Sequence, residues 1–157
     1  MAPPVNWSVA SAALLDHPDD RVAVLRRELS VVFGDGRAVD ELLAIASNGN
    51  GDPASRRDAL RVVLESQPQG LVATLLKLNG DKVVGAQAIR GLSRYEDPRI
   101  PEQLLNVFPN ARHDHRPAII DTLASRPSYA AALLDAVERG MVVRTEIPPV
   151  AAATIAG

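Results

Sequence analysis

The 157-residue sequence contains no cysteine. This absence excludes disulfides, cysteine-ligated zinc, iron–sulfur clusters, covalently attached c-type haem and thiol nucleophiles within the chain. Aromatic residues are also scarce: one Trp, two Tyr and two Phe lie scattered along the sequence. They form no pattern typical of a stacking platform, which argues against sugar binding.

Neither sign of charge is in clear excess, and no long hydrophobic run is present. Seventeen Lys and Arg stand against nineteen Asp and Glu, so no excess of positive charge draws the chain to nucleic acid or anionic lipid. The longest uncharged stretch, residues 1–15, lacks a basic start and is broken by Pro3, Pro4 and Asn6. It is a poor signal peptide and a worse membrane span. The composition indicates one soluble domain over residues 1–157.

The sequence does contain an internal repeat. Adjacent leucine pairs recur at intervals of 28, 33, 29 and 29 residues, at Leu14-Leu15, Leu42-Leu43, Leu75-Leu76, Leu104-Leu105 and Leu133-Leu134. The one long interval holds a polar, glycine-rich stretch at 47–51, which we interpret as a loop insertion. The period is therefore about thirty residues.

A second marker lies between the leucine pairs, at Ala59-Leu60, Ala88-Ile89 and Ala118-Ile119. Two markers in each period indicate two helices in each repeat, and the apolar spacing of three and four residues favours helices over strands. We predict helices near residues 7–16, 19–33, 37–48, 53–66, 69–79, 82–95, 101–108, 114–125 and 128–139, with a last short helix starting near Pro148.

A single pair of such helices cannot cover its own apolar faces, so successive pairs are expected to stack. The predicted fold is all-α: a right-handed α-solenoid of about four to five helix pairs. The second helices, which hold the leucine pairs, are expected to line its concave face. The alternative is a closed helical bundle, but such a bundle does not require a repeat of fixed length.

The two-helix units with a capped first helix resemble HEAT repeats over nearly the whole chain. Three runs resemble, more narrowly, the HEAT-like segment of large secreted planctomycete and verrucomicrobial proteins: residues 52–60 (DPASRRDAL), 89–98 (IRGLSRYEDP) and 122–127 (TLASRP). In those proteins the segment links a dehydrogenase-like β-propeller to a C-terminal c-type haem domain. This sequence has neither a propeller nor a Cys-x-x-Cys-His motif, so no redox activity is carried over to its residues.

The resemblance implies a non-catalytic segment excised from a larger protein. It also implies a periplasmic or other extracytoplasmic location, whereas without it a cytoplasmic location is expected. Natural terminal repeats usually present a polar outer face, so the apolar end at residues 150–157 indicates either that this end pairs with another segment or that the chain was excised there.

The candidate chemical motifs favour structural roles. His113, Asp114 and His115 are metal-ligand types, but adjacent positions point in different directions, and we interpret Asp114 as a helix N-cap. The acidic pairs at 19–20, 40–41 and 135/138 are interpreted as caps or solvated faces. The sequence lacks a nucleophile elbow and a phosphate-binding glycine loop. We therefore predict no catalytic residue, cofactor or metal.

Arginine is the distinctive surface feature, since fifteen of the seventeen basic residues are Arg. Arg61 and Arg90 lie one 29-residue period apart, and equivalent positions of a repeat face the same way. The candidate stripe for binding an anion or a partner is Arg57, Arg61, Arg90 and Arg94, with Arg56 beside it. Asp58, Glu65 and Glu96 are interleaved with these residues, which favours a solvated face instead.

Three functions remain open. The first is a non-catalytic interaction or scaffold module that binds a protein or neighbouring domains of its parent chain. The second is a nucleic-acid or anion binder that uses the arginine stripe, although the net charge of −2 and the scarce aromatics oppose it. The third is a small enzyme similar to lyases with HEAT-like repeats, which would need a deep polar cleft.

Overall fold

The computed structural model describes residues 6–15, 17–32 and 36–149 of the chain, and within these ranges it contains no strand. The helices are α1 (Trp7–Ala13), α2 (Asp20–Val32), α3 (Gly36–Ser47), α4 (Pro53–Ser66), α5 (Val72–Leu78), α6 (Gly85–Leu92), α7 (Arg99–Val107), α8 (Arg116–Ala124) and α9 (Pro127–Glu138). Single 3₁₀ turns cover Phe108–Asn110 and Arg144–Glu146. The all-α prediction is confirmed for this part of the chain. The helix predicted near Pro148 extends into residues 150–157, outside the described ranges.

Helix ends follow the predicted signals in most places. The Asp52 carboxylate accepts a hydrogen bond of 2.8 Å from the Ser55 amide, with Pro53 at the first helical position. This bond lowers the pKa of Asp52. Gly70 and Gly140 adopt positive φ angles of 78° and 73°, as expected for glycines that follow a helix or occupy a turn.

Three helices, α5, α6 and α8, begin later than predicted, and α5 begins at Val72 rather than near residue 69. Asp81 accepts hydrogen bonds from the amides of Val83 and Val84, but it caps a turn and α6 begins only at Gly85. Asp114 is not the N-cap of α8. The N-cap is His115, which makes no side-chain capping bond, and Asp114 pairs instead with Arg112.

Both sequence markers keep a constant register on their helices. The first leucine of each later pair is buried and the second lies nearer the surface, on α3, α5, α7 and α9. Both members of the other marker are buried, on α4, α6 and α8. Repeats thus bury equivalent positions, as the thirty-residue period predicts.

The described residues up to Gln69 form one compact unit and those from Gly70 form another. In the first unit, α2, α3 and α4 pack against one another. Their shared core includes Leu42, Leu60 and Val63. Arg56, only 2% exposed, donates from Nε to the Ala46 carbonyl oxygen at 2.9 Å and so caps the last turn of α3.

The second unit contains α5 to α9. Helices that are next but one in sequence pack together there: α6 with α8, α5 with α7, and α7 with α9. Sequential pairs α5 and α6, and α8 and α9, also pack. This arrangement belongs to an all-α fold, and the finer predictions of a right-handed solenoid and a single domain stay predictions.

Side chains of α8, of α9 and of Arg126, the N-cap of α9, bind backbone groups about one repeat earlier. Thr122 Oγ1 donates to the Ile89 carbonyl oxygen at 2.9 Å, and Arg126 Nη2 donates to that of Ser93 at 2.7 Å. The Tyr129 hydroxyl accepts from the Asp97 amide at 2.9 Å and lies 3.0 Å from the Tyr95 carbonyl oxygen. These bonds satisfy backbone groups at the end of α6 and in the connection to α7.

In the described residues, no helix has the length and apolar character needed to cross a bilayer.

Candidate interaction surface

One side of α2 leaves large apolar side chains in water. Val24, Leu25, Leu29 and Val32 are 42%, 57%, 44% and 53% exposed. Leu25, Leu29 and Val32 follow the i, i+4, i+7 spacing of one helix face. The next residue before Val32, Val31, is buried, so α2 is apolar towards the core and also towards solvent. In the sequence, Val24, Leu25 and Leu29 match the Ala-Leu marker of the later repeats only with a shifted offset, and these three residues lie on the exposed side of α2.

A groove of about 440 Å³ runs between the exposed side of α2 and α4. Its floor is formed by valines and its rim by charged side chains: Val31, Val32, Val62, Glu28, Arg61 and Glu65. A second groove of about 240 Å³ continues from it towards the starts of both helices, where α3 adds apolar side chains. Both grooves include Glu28 and Val62. We call the two grooves, together with the exposed apolar face formed by Leu25, Leu29 and Val32 beside them, the α2–α4 seam. The grooves themselves are lined on α2 by Val24, Arg27, Glu28, Val31 and Val32, and on α4 by residues between Ser55 and Ser66.

The Arg61 guanidinium lies beside three carboxylates at the rim of the seam. Its Nε and Nη2 donate to Asp58 Oδ1 at 3.0 and 2.9 Å, and its Nη1 donates to both Glu65 oxygens at 3.0 and 3.1 Å. Glu28 Oε1, from α2, lies 3.6 Å from Arg61 Nη2. The hydrogen bonds to Asp58 and Glu65 raise the pKa of Arg61. Three carboxylates and one guanidinium give this cluster a formal charge of −2.

The predicted arginine stripe is divided between the two compact units. Arg57 and Arg61 lie on α4 in the first unit, where Arg57 is exposed and Arg56 is buried. Arg90, at the end of α6, and Arg94, just after it, are exposed in the second unit. Because the Arg61 guanidinium already donates hydrogen bonds to Asp58 and Glu65, it has little remaining capacity to bind an anion. Anion binding by the four residues together stays a prediction.

Two residues of the motif His113-Asp114-His115 make contacts within the fold. His115 is buried, 3% exposed, and packs against Gly85. Asp114 lies beside Arg112, with Nε to Oδ1 at 3.2 Å. The acidic pairs also have local partners: Asp19 accepts from the Arg21 amide, and Asp135 faces Arg139. Among the described residues, no group of three or more His, Asp and Glu is placed to hold a metal ion.

Two features of the seam were not predicted from the sequence. They are the contact of Glu28 with Arg61 and the exposure of Leu25, Leu29 and Val32. Asp58 and Glu65 were recognised as neighbours of Arg61, because positions i−3 and i+4 share a helix face. Glu28 was not, because its contact with Arg61 spans 33 residues and depends on how α2 packs against α4. Exposure of Leu25, Leu29 and Val32 could have been suspected from the displaced marker on α2.

The fold places the chain among all-helical proteins. A scan of known protein families and searches of curated proteins and of solved structures find no match to it.

Proposed function

We propose that the chain is a non-catalytic protein-interaction module of stacked HEAT-like helix pairs, which binds a partner protein along the α2–α4 seam. The observation that carries the proposal is the exposed apolar face of α2 beside the groove. Contiguous apolar surface rimmed by polar groups is typical of interaction sites in soluble proteins. Moving a fully exposed leucine or valine side chain out of water contributes about 1.5–3 kcal/mol, so covering the exposed half of Leu25, Leu29 and Val32 contributes about half of that for each.

The helix packing of the second unit supports the stacked part of the proposal. Contacts between helices that are next but one in sequence recur there, as in an array of repeats. Bonds from Thr122, Arg126 and Tyr129 reach back 32 to 34 residues, close to one period. Such an array presents a preformed surface, which keeps the conformational cost of binding low.

The test is a selection from a displayed library of amphipathic helical peptides, followed by measurement of affinity for variants. The double substitution Leu25→Asp/Leu29→Asp places charges on the apolar face of α2. Leu134→Asp, on the exposed side of α9, is the matched control because Leu134 is 46% exposed. Selected peptides are expected to bind the wild type and the control, and to lose at least about tenfold in affinity for the double variant.

All three proteins should first show the same far-ultraviolet circular dichroism, since the substituted side chains are exposed. If the library yields no binder, or if the double variant binds like the wild type, the seam is not the interaction surface.

A further inference from the structure

We infer that the partner segment is a basic amphipathic helix, whose apolar face covers the α2–α4 seam and whose Lys or Arg side chains meet the acidic rim. This inference rests on the proposed function and adds the chemistry of the partner. It combines three observations: the shape of the seam, its apolar floor and the excess of carboxylate at its edge.

The dimensions of the seam suit a short helix. The lining residues of α4 run from Ser55 to Ser66, a rise of about 17 Å, or three turns. The lining residues of α2 run from Val24 to Val32, a rise of about 12 Å, or just over two turns. An amphipathic helix that lies in such a groove contacts it through side chains at i, i+3 or i+4 and i+7. A partner helix of three to four turns thus matches the seam.

The charges along the rim indicate which charge the partner segment carries. Glu28 comes from α2, and Asp58 and Glu65 come from α4, where they lie seven residues apart, about 10 Å along the helix. Arg61 neutralises only one of these three charges. Arg27 also lines the seam, and its Nε lies 3.7 Å from Glu41 Oε2, an oxygen that also lies 3.6 Å from Arg26 Nη2. With Arg27 and Arg61 set against the three carboxylates, the residues that line the seam carry a formal charge of −1. Arg57 is not among the residues that line either groove.

Glu28 is the carboxylate best placed to receive a partner's cation. It lies in both grooves, at the centre of the seam, and its side chain is 32% exposed. Its separation of 3.6 Å from Arg61 is longer than a hydrogen bond, whereas Asp58 and Glu65 are directly bonded to that guanidinium. A Lys or Arg above Val62 can therefore donate to Glu28 without displacing Arg61. The resulting charge-assisted bond lies beside an apolar floor, where it is stronger than in open water.

The experiment compares three fluorescent helical peptides of about 16 residues with the same leucine face. Their flanking positions carry Lys and Arg, Gln, or Glu. Anisotropy titrations use the full chain as wild type, as Glu28→Gln, and as Glu28→Gln/Glu65→Gln. Glu138→Gln removes a carboxylate from the exposed side of α9, in the second unit, and is the matched control. The basic peptide is expected to bind the wild type at least about tenfold tighter than the acidic one.

The double variant should lose about tenfold in affinity for the basic peptide, Glu28→Gln alone should lose part of this, and Glu138→Gln should bind like the wild type. Raising the salt concentration should weaken the basic peptide most. If the three peptides bind equally and Leu25→Asp/Leu29→Asp abolishes their binding, the seam is supported as the interaction surface. The inference that the partner helix is basic is then wrong.

Preference for the acidic peptide overturns the inference in the same way. Binding of none of the peptides overturns the seam itself and, with it, the proposed function. A dimer in analytical ultracentrifugation that Leu25→Asp/Leu29→Asp dissociates would identify a second copy of the chain as the occupant, and would also overturn the inference.

Discussion

At the scale of single residues, Gly85 shows how closely the second unit is packed. A β-carbon at this position would lie 2.6 Å from His115 Cε1 and 2.7 Å from the Asn79 carbonyl oxygen. The Asn79 oxygen belongs to the backbone, so it cannot rotate away. We expect Gly85→Ala to lower the free energy of unfolding by about 1–3 kcal/mol, measured by urea denaturation.

Gly80→Ala is the control for this prediction, because a β-carbon at Gly80 has nothing within 4 Å. Its effect should stay within about 1 kcal/mol and is expected to be stabilising, since alanine restricts the unfolded chain. Equal stability of Gly85→Ala and the wild type would show that the connection before α6 yields more easily than its contacts indicate.

Asp97 provides a pH-dependent contribution to stability. Hydrogen bonds from the Arg99 guanidinium, and then from the Arg99 amide, lower the pKa of Asp97 from 3.8 to about 2. Because the pKa is lower in the folded state, the stabilisation is complete above about pH 4 and is lost as the pH falls towards 2. The difference in urea midpoint between the wild type and Asp97→Asn should thus be largest above pH 4 and should shrink below it.

Asp121→Asn, on the exposed side of α8, removes the same charge away from Arg99 and serves as the control for that comparison. A difference between the wild type and Asp97→Asn that stays constant from pH 6 to pH 2 would mean that the carboxylate of Asp97 does not supply the effect.

At the scale of elements, most of the helices could be predicted because apolar spacing and caps act locally. The Ala59-Leu60 and Leu75-Leu76 markers fall on α4 and α5, with the buried members on the core side. The start of α6 was placed too early, because an aspartate followed by Lys82 and Val83 is compatible with a capped turn as well as with a capped helix.

The candidate surface was less predictable than the helices, because it depends on contacts between elements. The bonds from Arg61 to Asp58 and Glu65 lie within α4 and follow from helix periodicity. The contact with Glu28 needs the register of α2 against α4, which the thirty-residue period leaves undefined in the first repeat. The arginine stripe was inferred from equal spacing alone. Spacing does not reveal that the Arg61 guanidinium is already hydrogen-bonded to carboxylates.

At the scale of the whole molecule, the period predicts one cooperative domain, since each helix pair covers its apolar faces on the next. The single tryptophan, Trp7, lies in the first unit. Leu60→Ala in the first unit and Leu123→Ala in the second each remove a fully buried side chain, at a cost of about 2–5 kcal/mol. We expect both substitutions to shift the urea midpoint observed by Trp7 fluorescence, together with that observed by circular dichroism.

Leu60→Ala is the internal control for this measurement, since a shift of the Trp7 transition by this substitution shows that Trp7 reports on the core of the first unit. Leu123→Ala is decisive, because it lies in the other unit. If it leaves the Trp7 transition in place and shifts only part of the circular dichroism change, the chain folds as two independent units and the single-domain prediction is wrong. A common shift would mean that the free energy of the second unit is coupled to the first, as neighbouring repeats require.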